Sequence, residues 1–250
     1  MTIVDFAAAR MNGRASSCGA AQISAARQRG YCCVCSRQKL STSGRGSYDL
    51  DRIGQYEDDL VQIASALQTE RPDARLWLAG HSMGGGIVLR FALKTARPDI
   101  AGYVLIAPVF ASGPLVPKPS LAPSAMKIDR LRIMSLFLLN LLGIRAFNHL
   151  PVTYLNQPPD YPAYSFSAMA SGWPTPPKST EDGLRAMKSP FLILAGADDI
   201  HVRAEGYAEL TGKFASGGVR ILPKHSHDSL LNDCETHSAI AAWLEDQLAE

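Results

Sequence analysis

The chain has 250 residues, of which 46% are hydrophobic, and its formal net charge is +2 at pH 7. This length and composition predict one large globular domain and exclude an intrinsically disordered chain. The small net charge argues against nucleic acid as a partner, because a nucleic-acid-binding protein needs a concentrated basic face.

The first 46 residues differ from the rest of the chain. They contain seven Lys or Arg against Asp5 alone, four of the five cysteines, and no convincing element beyond a short helical pattern near 20–28. The odd cysteine count and the crowded Cys32–Cys35 spacing match neither a disulfide framework nor a zinc site, so we expect no bound metal.

The amino terminus carries no secretory signal pattern, which makes a cytoplasmic location the expectation.

From Ile53 onwards, continuous apolar runs alternate with helical patterns. The predicted elements are a helix over Ile53–Glu70, a strand over Leu76–Ala79, a helix that begins after Ser82 and runs to Arg97, a strand over Tyr103–Val109, a strand over Phe191–Ala195, a helix over Ala204–Phe214, a strand over Val219–Leu222 and a helix over Thr236–Leu248. This alternation is typical of a mostly parallel sheet covered by helices on both faces, so we predict the α/β class.

The segment at about 111–189 interrupts the alternation and is rich in proline. It is predicted to be an inserted lid that covers and shapes a site. Within it Ile128–Ile144 is strongly apolar, and Tyr164–Ser171 is predicted to form a second short helix. The run Leu136–Leu142 has two interpretations: a helix packed on the lid and a substrate tunnel, or an interfacial membrane anchor. Its short length and flanking arginines favour packing.

The stretch Leu76–Gly86 organises the chain, because an apolar run ends at a serine bracketed by glycines. A G-x-S-x-G sequence between a strand and a helix predicts a nucleophile elbow, in which Ser82 stands exposed at the end of the strand. The helix that begins at Met83 points its first N–H groups towards the same spot. It would therefore stabilise negative charge on an attacked carbonyl oxygen.

A serine nucleophile needs a general base, and that base needs a carboxylate to hold its tautomer. Two acids, Asp198 and Asp199, follow a late strand, and two histidines, His225 and His227, follow the next strand. His201 lies too close to the acid in sequence to be its partner. The chain order Ser, Asp, His is that of an α/β-hydrolase, although the residues alone leave both pairs of candidates open.

The Gly80–Gly85 motif, the lid, the acid loop and the late histidine together resemble the monoacylglycerol lipase, lysophospholipase and serine aminopeptidase-like group of α/β-hydrolases. The resemblance runs from about Tyr48 to the carboxyl end. It implies Asp199 as the acid, because Gly196-x-x-Asp199-x-x-Val202 matches the acid loop of the group. It implies His227 as the base, because residues 228–233 match the stretch directly after the catalytic histidine of the group. It also implies the backbone N–H of Met83 as one oxyanion donor.

The activity implied by this resemblance is hydrolysis of a carboxylic ester through an acyl-enzyme on Ser82, without a cofactor. The expected partner is a small acyl ester or lipid, with transient membrane-surface contact through the lid. Five apolar lid residues are candidates for contacting the acyl chain: Leu136, Phe137, Leu139, Leu141 and Trp173. An aminopeptidase is the alternative enzyme, and it would need an acid for the substrate amine, for which the candidates are Asp160, Glu181 and Asp182.

The chain departs from this group at its amino-terminal end. Relatives carry a His-Gly pair that supplies the second oxyanion donor, and no His-Gly pair occurs in this chain. We therefore expect residues 1–46 to be an atypical, poorly ordered or aberrant segment, residues 47–250 to form the hydrolase domain, and the amino-terminal part of the sheet to be missing or atypical. Loss of an oxyanion donor slows catalysis by about a hundredfold or more, so a catalytically impaired binding protein is a further alternative.

Overall fold

The structure is a computed structural model that describes residues 2–3, 34–35, 49–110, 126–155, 163–212 and 217–249. Two short strands, β1 (Thr2–Ile3) and β2 (Val34–Cys35), form an antiparallel pair. The other features predicted for residues 1–46, and the candidate Asp160, lie outside the described residues.

The remaining elements alternate as the hydropathy pattern predicts. In chain order they are α1 (Gln55–Glu70), β3 (Trp77–His81), α2 (Met83–Ala92), β4 (Gly102–Ile106), β5 (Met126–Ile128), α3 (Arg130–Leu141), β6 (Pro151–Leu155), β7 (Tyr164–Ser165), α4 (Phe166–Ala170), α5 (Thr180–Ala186), β8 (Phe191–Gly196), α6 (Gly206–Thr211), β9 (Gly217–Leu222), a 3-10 helix (Ser229–Asn232) and α7 (Cys234–Ala249).

Four strands form a parallel sheet in the order β3-β4-β8-β9. Because the strands are parallel, their carboxyl ends meet at one edge of the sheet, where ligand sites of such sheets are found. Ser82 follows β3, Asp199 follows β8, and His227 follows β9. The topology therefore collects these three residues at one edge.

The two faces of the sheet bury alternate residues of each strand, as the two-residue period of a strand requires. Tyr103, Leu105, Phe191 and Ile193 belong to a core that includes residues of α1, α2 and α6. Val104, Ile106, Leu192 and Leu194 belong to a second core, which α7 covers with Ala239 and Ile240. Helices therefore cover both faces, and the predicted α/β class with a mostly parallel sheet is confirmed.

Several predicted boundaries are wrong by a few residues, and two of them have an evident cause. Helix α2 ends at Ala92 rather than at Arg97, because the Arg97 guanidinium folds back and donates to the carbonyls of Ala92, Pro98 and Ala186. Such a cation satisfies carbonyls that the helix end leaves open. Strand β4 ends at Ile106 rather than at Val109, because Ala107 adopts a left-handed φ of 40° that breaks the extended conformation.

The region of the predicted lid contains a small antiparallel sheet, β5-β6-β7, with α3 packed beside it. Its core is separate from the two cores of the main sheet and is built from Leu136, Val152, Phe166 and Ala170. The pattern predicted one short helix over Tyr164–Ser171, whereas the structure has the short strand β7 at Tyr164–Ser165, followed by α4. Ser165 ends the strand and caps the helix, since its hydroxyl accepts from the N–H of Ala168.

The segment after α4 is fastened to the helix that follows Ser82. A Cβ added at Gly86 of α2 would lie 1.9 Å from the carbonyl oxygen of Gly172, so the two backbones touch. The Arg90 guanidinium donates to the carbonyls of Ala170 and Trp173 and pairs with the buried carboxylate of Glu57. These contacts hold residues 170–175 against α2.

Among the described residues, the helices are too short or too polar to cross a bilayer.

Candidate active site

The turn between β3 and α2 holds Ser82 in an unusual backbone conformation. Its φ is 55° and its ψ is −123°, a combination that a non-glycine residue adopts only when its surroundings impose it. The neighbouring glycines make the turn close. A Cβ at Gly80 would lie 2.4 Å from the carbonyl oxygen of Gly84, so no larger residue fits there.

Backbone hydrogen bonds from the next strand stabilise this turn. The N–H of Ser82 donates to the carbonyl of Ile106 at 3.0 Å, and the N–H of Val109 donates to the carbonyl of Ser82 at 2.9 Å. Ala107, which has a left-handed φ of 40°, lies between Ile106 and Val109, the two residues that make these bonds. Together they oppose the strain stored at Ser82.

Ser82, His227 and Asp199 form a continuous chain of hydrogen bonds. The Ser82 hydroxyl lies 2.8 Å from His227 Nε2, and His227 Nδ1 lies 2.7 Å from Asp199 Oδ2. A carboxylate accepts but does not donate, so Nδ1 carries the imidazole proton and Nε2 is left to accept from the serine hydroxyl. This is the arrangement in which a histidine can act as a general base on a serine.

The Asp199 side chain is fully buried, and its second oxygen accepts the backbone N–H groups of His201 and Val202 at 2.7 and 3.2 Å. Burial by itself raises the pKa of a carboxyl group. Here the hydrogen bond from His227 and the two backbone N–H groups outweigh burial, so the pKa of Asp199 lies below its ordinary value. Asp199 is therefore ionised at neutral pH.

The two competing candidates from the sequence, Asp198 and His225, take no part in the hydrogen-bonded chain of Ser82, His227 and Asp199. Asp198 is exposed, and its backbone N–H donates to the carbonyl of His225 at 2.9 Å. The His225 ring lies between the carbonyl of Pro223, 2.7 Å from Nδ1, and the Asp233 carboxylate, 3.1 Å from Nε2. His225 therefore supports the loop that carries His227.

Two further histidines flank the His227 ring. The His81 ring centroid lies 5.0 Å away, and His81 Nε2 donates to the backbone carbonyl of His227 at 3.1 Å. The exposed His201 ring packs edge-on at 4.9 Å from the other direction. Burial and the neighbouring His227 lower the pKa of His81 to about 4, so this ring is neutral at pH 7. The sequence reasoning missed His81, although its place directly before Ser82 in the motif was a signal.

Met83 is the first residue of α2, whose amino-terminal N–H groups carry partial positive charge. Its side chain lies against the Gly172 backbone, since a Cβ added at Gly172 would be 2.5 Å from Met83 Cγ. The segment around Gly172 and Trp173 therefore lies next to the residue that follows Ser82.

The candidate acyl-binding residues of α3 occupy different environments. Leu136 is 3% exposed in the core that it shares with Val152, Phe137 is 37% exposed, and Leu141 is 69% exposed. Leu136 and Leu139 line an open groove of about 590 Å³ together with Asp129, Leu131, Arg132, Ser135, Phe147 and Leu150. Neither Ser82 nor His227 lines this groove.

Two groups of side chains within the described ranges are close enough to share a metal ion: His81, His227 and Asp228, and His225, Asp233 and Glu235. In both groups the Nε2 atom of each histidine is already engaged in a hydrogen bond or ion pair with another protein atom. The serine, imidazole and carboxylate chain contains the groups needed for nucleophilic catalysis without a metal.

A sequence model described as the alpha/beta hydrolase family matches residues 12–243. The chain belongs to the alpha/beta hydrolase family. This match begins at residue 12, whereas the resemblance based on the motifs begins only at about Tyr48. It spans all the strands of the parallel sheet and the three residues of the hydrogen-bonded chain.

Solved structures of similar fold are hydrolases. A soluble variant of monoglyceride lipase from Saccharomyces cerevisiae, in complex with a substrate analog, is 18% identical with a TM-score of 0.54, covering 84% of this chain and 74% of that chain. A candidate aryl esterase from Burkholderia cenocepacia is 21% identical with a TM-score of 0.52, covering 78% and 72%. A thermophilic esterase from Thermogutta terrifontis is 19% identical with a TM-score of 0.51, covering 80% and 74%. At these identities, the similarity establishes the alpha/beta hydrolase fold.

Proposed function

We propose that this alpha/beta hydrolase cleaves carboxylic esters through an acyl-enzyme on Ser82. The observation that carries the proposal is the unbroken hydrogen-bonded chain from the Ser82 hydroxyl through His227 to the buried Asp199. Ser82 attacks the ester carbonyl carbon while its proton passes to His227 Nε2. Asp199 stabilises the imidazolium that forms.

The oxyanion of the tetrahedral intermediate would develop at the amino-terminal end of α2, beside the backbone of Met83. Collapse of the intermediate breaks the ester C–O bond, and His227 returns its proton to the leaving alkoxide. Water then attacks the acyl-enzyme with His227 as base, which releases the acid and restores Ser82.

A fluorophosphonate probe tests the nucleophile directly, because it forms a covalent bond only with an activated serine. We expect wild-type protein to be labelled, Ser82→Ala to remain unlabelled, and the matched variant Ser135→Ala, at an exposed serine of α3, to be labelled like wild type. Failure of folded wild-type protein to react would overturn the proposal.

We propose a lipid-like ester, such as a monoacylglycerol or lysophospholipid, as the substrate. The position of residues 172–173 beside Met83 supports an apolar acyl chain near the site. Each buried methylene would contribute about 0.8 kcal/mol, so KM should fall as the acyl chain lengthens from acetyl to decanoyl. A KM that stays constant or rises along the series would exclude an acyl-binding lid.

The outer face of α3 supports transient contact with a lipid surface. Leu131 is 83% exposed, and Met134, Leu138, Leu141 and Leu142 are also exposed. Two exposed arginines, Arg130 and Arg145, flank this apolar stretch in sequence and could bind lipid phosphates.

Sedimentation with vesicles of phosphatidylcholine and anionic phosphatidylglycerol measures this contact. Leu138→Glu should reduce the sedimented fraction, whereas Ile221→Glu, at an exposed apolar residue of β9, should not. Hydrolysis of a short, soluble ester should be unaffected by either substitution. Equal sedimentation of all three proteins would exclude the α3 contact.

One observation favours a second candidate, a hydrolase-like binding protein with little turnover: the chain has no His-Gly pair for a second oxyanion donor. Esterase activity that disappears in Ser82→Ala would exclude it.

The aminopeptidase alternative has less support, since the Asp182 carboxylate is engaged in capping α5 through Ser179. Amino-acid anilides assayed beside p-nitrophenyl esters separate the two activities.

A further inference from the structure

We infer that His81 is a positioning residue for catalysis: its imidazole N–H anchors the backbone of His227 and so sets the distance between the serine and its base. The inference rests on the proposed function, since it assigns His81 a role in the same reaction. His81 touches neither the Ser82 hydroxyl nor the Asp199 carboxylate by hydrogen bond, so it acts through His227.

The loop that carries His227 is anchored at two points to two different strand ends. The N–H of Asp198, directly after β8, donates to the carbonyl of His225 at 2.9 Å. His81, the last residue of β3, donates from Nε2 to the carbonyl of His227 at 3.1 Å. Gly196 allows close approach on the β8 side, because a Cβ there would lie 2.1 Å from the His225 carbonyl oxygen.

The two anchors have different consequences. The Asp198 anchor joins the loop to the strand that carries the acid, and so holds the histidine relative to Asp199. The His81 anchor joins it to the strand that carries the nucleophile, because His81 and Ser82 are neighbours in the chain. Apart from Ser82 itself, His81 therefore offers a described side chain whose hydrogen bond links the base directly to the end of β3.

The chemical state of His81 suits this role. A backbone carbonyl only accepts, so His81 Nε2 must carry a proton, which the neutral imidazole provides. A second imidazolium 5.0 Å from the His227 ring would oppose the charge that His227 acquires during catalysis. Because the His81 ring is largely buried and stays neutral at pH 7, it donates without adding that charge.

The test compares His81→Gln with His81→Asn. The Gln amide nitrogen is as many bonds from Cα as His Nε2 and can reach the His227 carbonyl, whereas the Asn amide nitrogen is one bond shorter. A misplaced catalytic group costs up to about a hundredfold in rate, so we expect kcat to fall about 10- to 100-fold in His81→Asn. We expect KM to change less than about twofold, and His81→Gln to retain most of the activity.

His149→Asn is the matched control, since His149 is exposed and, among the described residues, its ring bonds to the nearby carbonyl of Ala146 alone. Its kcat should equal that of wild type. The inference is overturned if His81→Asn retains wild-type kcat, or if His81→Gln loses as much activity as His81→Asn in protein with an unchanged thermal midpoint.

A measurement on the resting protein separates this inference from the proposed function. The Nδ1 proton of His227, shared with Asp199 at 2.7 Å, should give a low-field proton NMR signal. We expect that signal in wild type and His81→Gln, and its loss by exchange in His81→Asn. If the signal is the same in all three proteins, the inference fails, whatever the activity. A wild-type protein that shows the signal but no labelling or turnover overturns the proposed function instead.

Discussion

Replacing Asp199 with Asn tests the hydrogen-bonded chain most sharply, because it changes one atom and keeps the shape of the side chain. The Asn oxygen can continue to accept the N–H groups of His201 and Val202, which lie 2.7 and 3.2 Å from Asp199 Oδ1. Its NH₂ group then faces His227 Nδ1 in place of the carboxylate oxygen. Two donors cannot share that position, so the imidazole proton moves to Nε2.

With the proton on Nε2, His227 can no longer accept the proton of the Ser82 hydroxyl. The variant also loses the charge that stabilises the imidazolium. In serine hydrolases with this arrangement the corresponding change lowers kcat by about 10⁴-fold. At about 1.4 kcal/mol for each factor of ten, this equals roughly 5 kcal/mol of transition-state stabilisation.

The assay is hydrolysis of a p-nitrophenyl ester together with the rate of fluorophosphonate labelling, both on protein shown to be folded. Asp198→Asn is the control: its side chain is exposed, and the substitution keeps the backbone N–H that bonds His225. We expect it to change kcat little. If Asp199→Asn retains more than about a tenth of the activity, or if Asp198→Asn is the more damaging change, the assignment of the acid is wrong.

His227→Ala should abolish most turnover, whereas His225→Ala should lower it only modestly; the reverse result in the ester assay would move the base by two residues. Burial alone lowers the pKa of His225, but its bonds to Pro223 and Asp233 raise it overall, so its stabilising contribution is fully present below about pH 6.5 and is lost as the pH rises through the folded pKa. Thermal unfolding of wild type and His225→Ala across this range should show a difference that shrinks at alkaline pH, and a constant difference would contradict the argument. Gly86→Ala should lower the free energy of unfolding by about 1–3 kcal/mol, because its Cβ would lie 1.9 Å from the Gly172 carbonyl oxygen, whereas Gly218→Ala, with ordinary contact at 3.7 Å, should have little effect by denaturant titration.

The local sequence was sufficient to predict the strand, turn and helix around Ser82. A run of apolar residues, a serine between glycines and a second helical run are short-range features, and the close packing of Gly80 against Gly84 lies within the motif itself. The alternating apolar runs likewise predicted the parallel sheet, because buried parallel strands carry apolar residues on both faces. These features depend on neighbouring residues in the chain.

The small sheet beside α3 could not be predicted in this way. Its strands β5, β6 and β7 have three, five and two residues, so none of them carries a periodic pattern long enough to recognise. They are stabilised by pairing with one another and by the core around Leu136 and Val152. That pairing joins residues distant in sequence, and no local pattern encodes it.

By itself, the sequence determined which strand ends carry the serine, the acids and the histidines, because topology follows from the order of the elements. The local pattern left open which of Asp198 and Asp199, and which of His225 and His227, complete the arrangement, and the resemblance to the hydrolase group implied Asp199 and His227. Only the tertiary structure shows which of these side chains lie together: the turn after β8 buries the Asp199 carboxylate and leaves Asp198 exposed, and the His227 ring lies within hydrogen-bond distance of both Ser82 and Asp199. The physical reason is that the direction of a loop side chain depends on the hydrogen bonds its backbone makes to other strands, and these form only when the chain is folded.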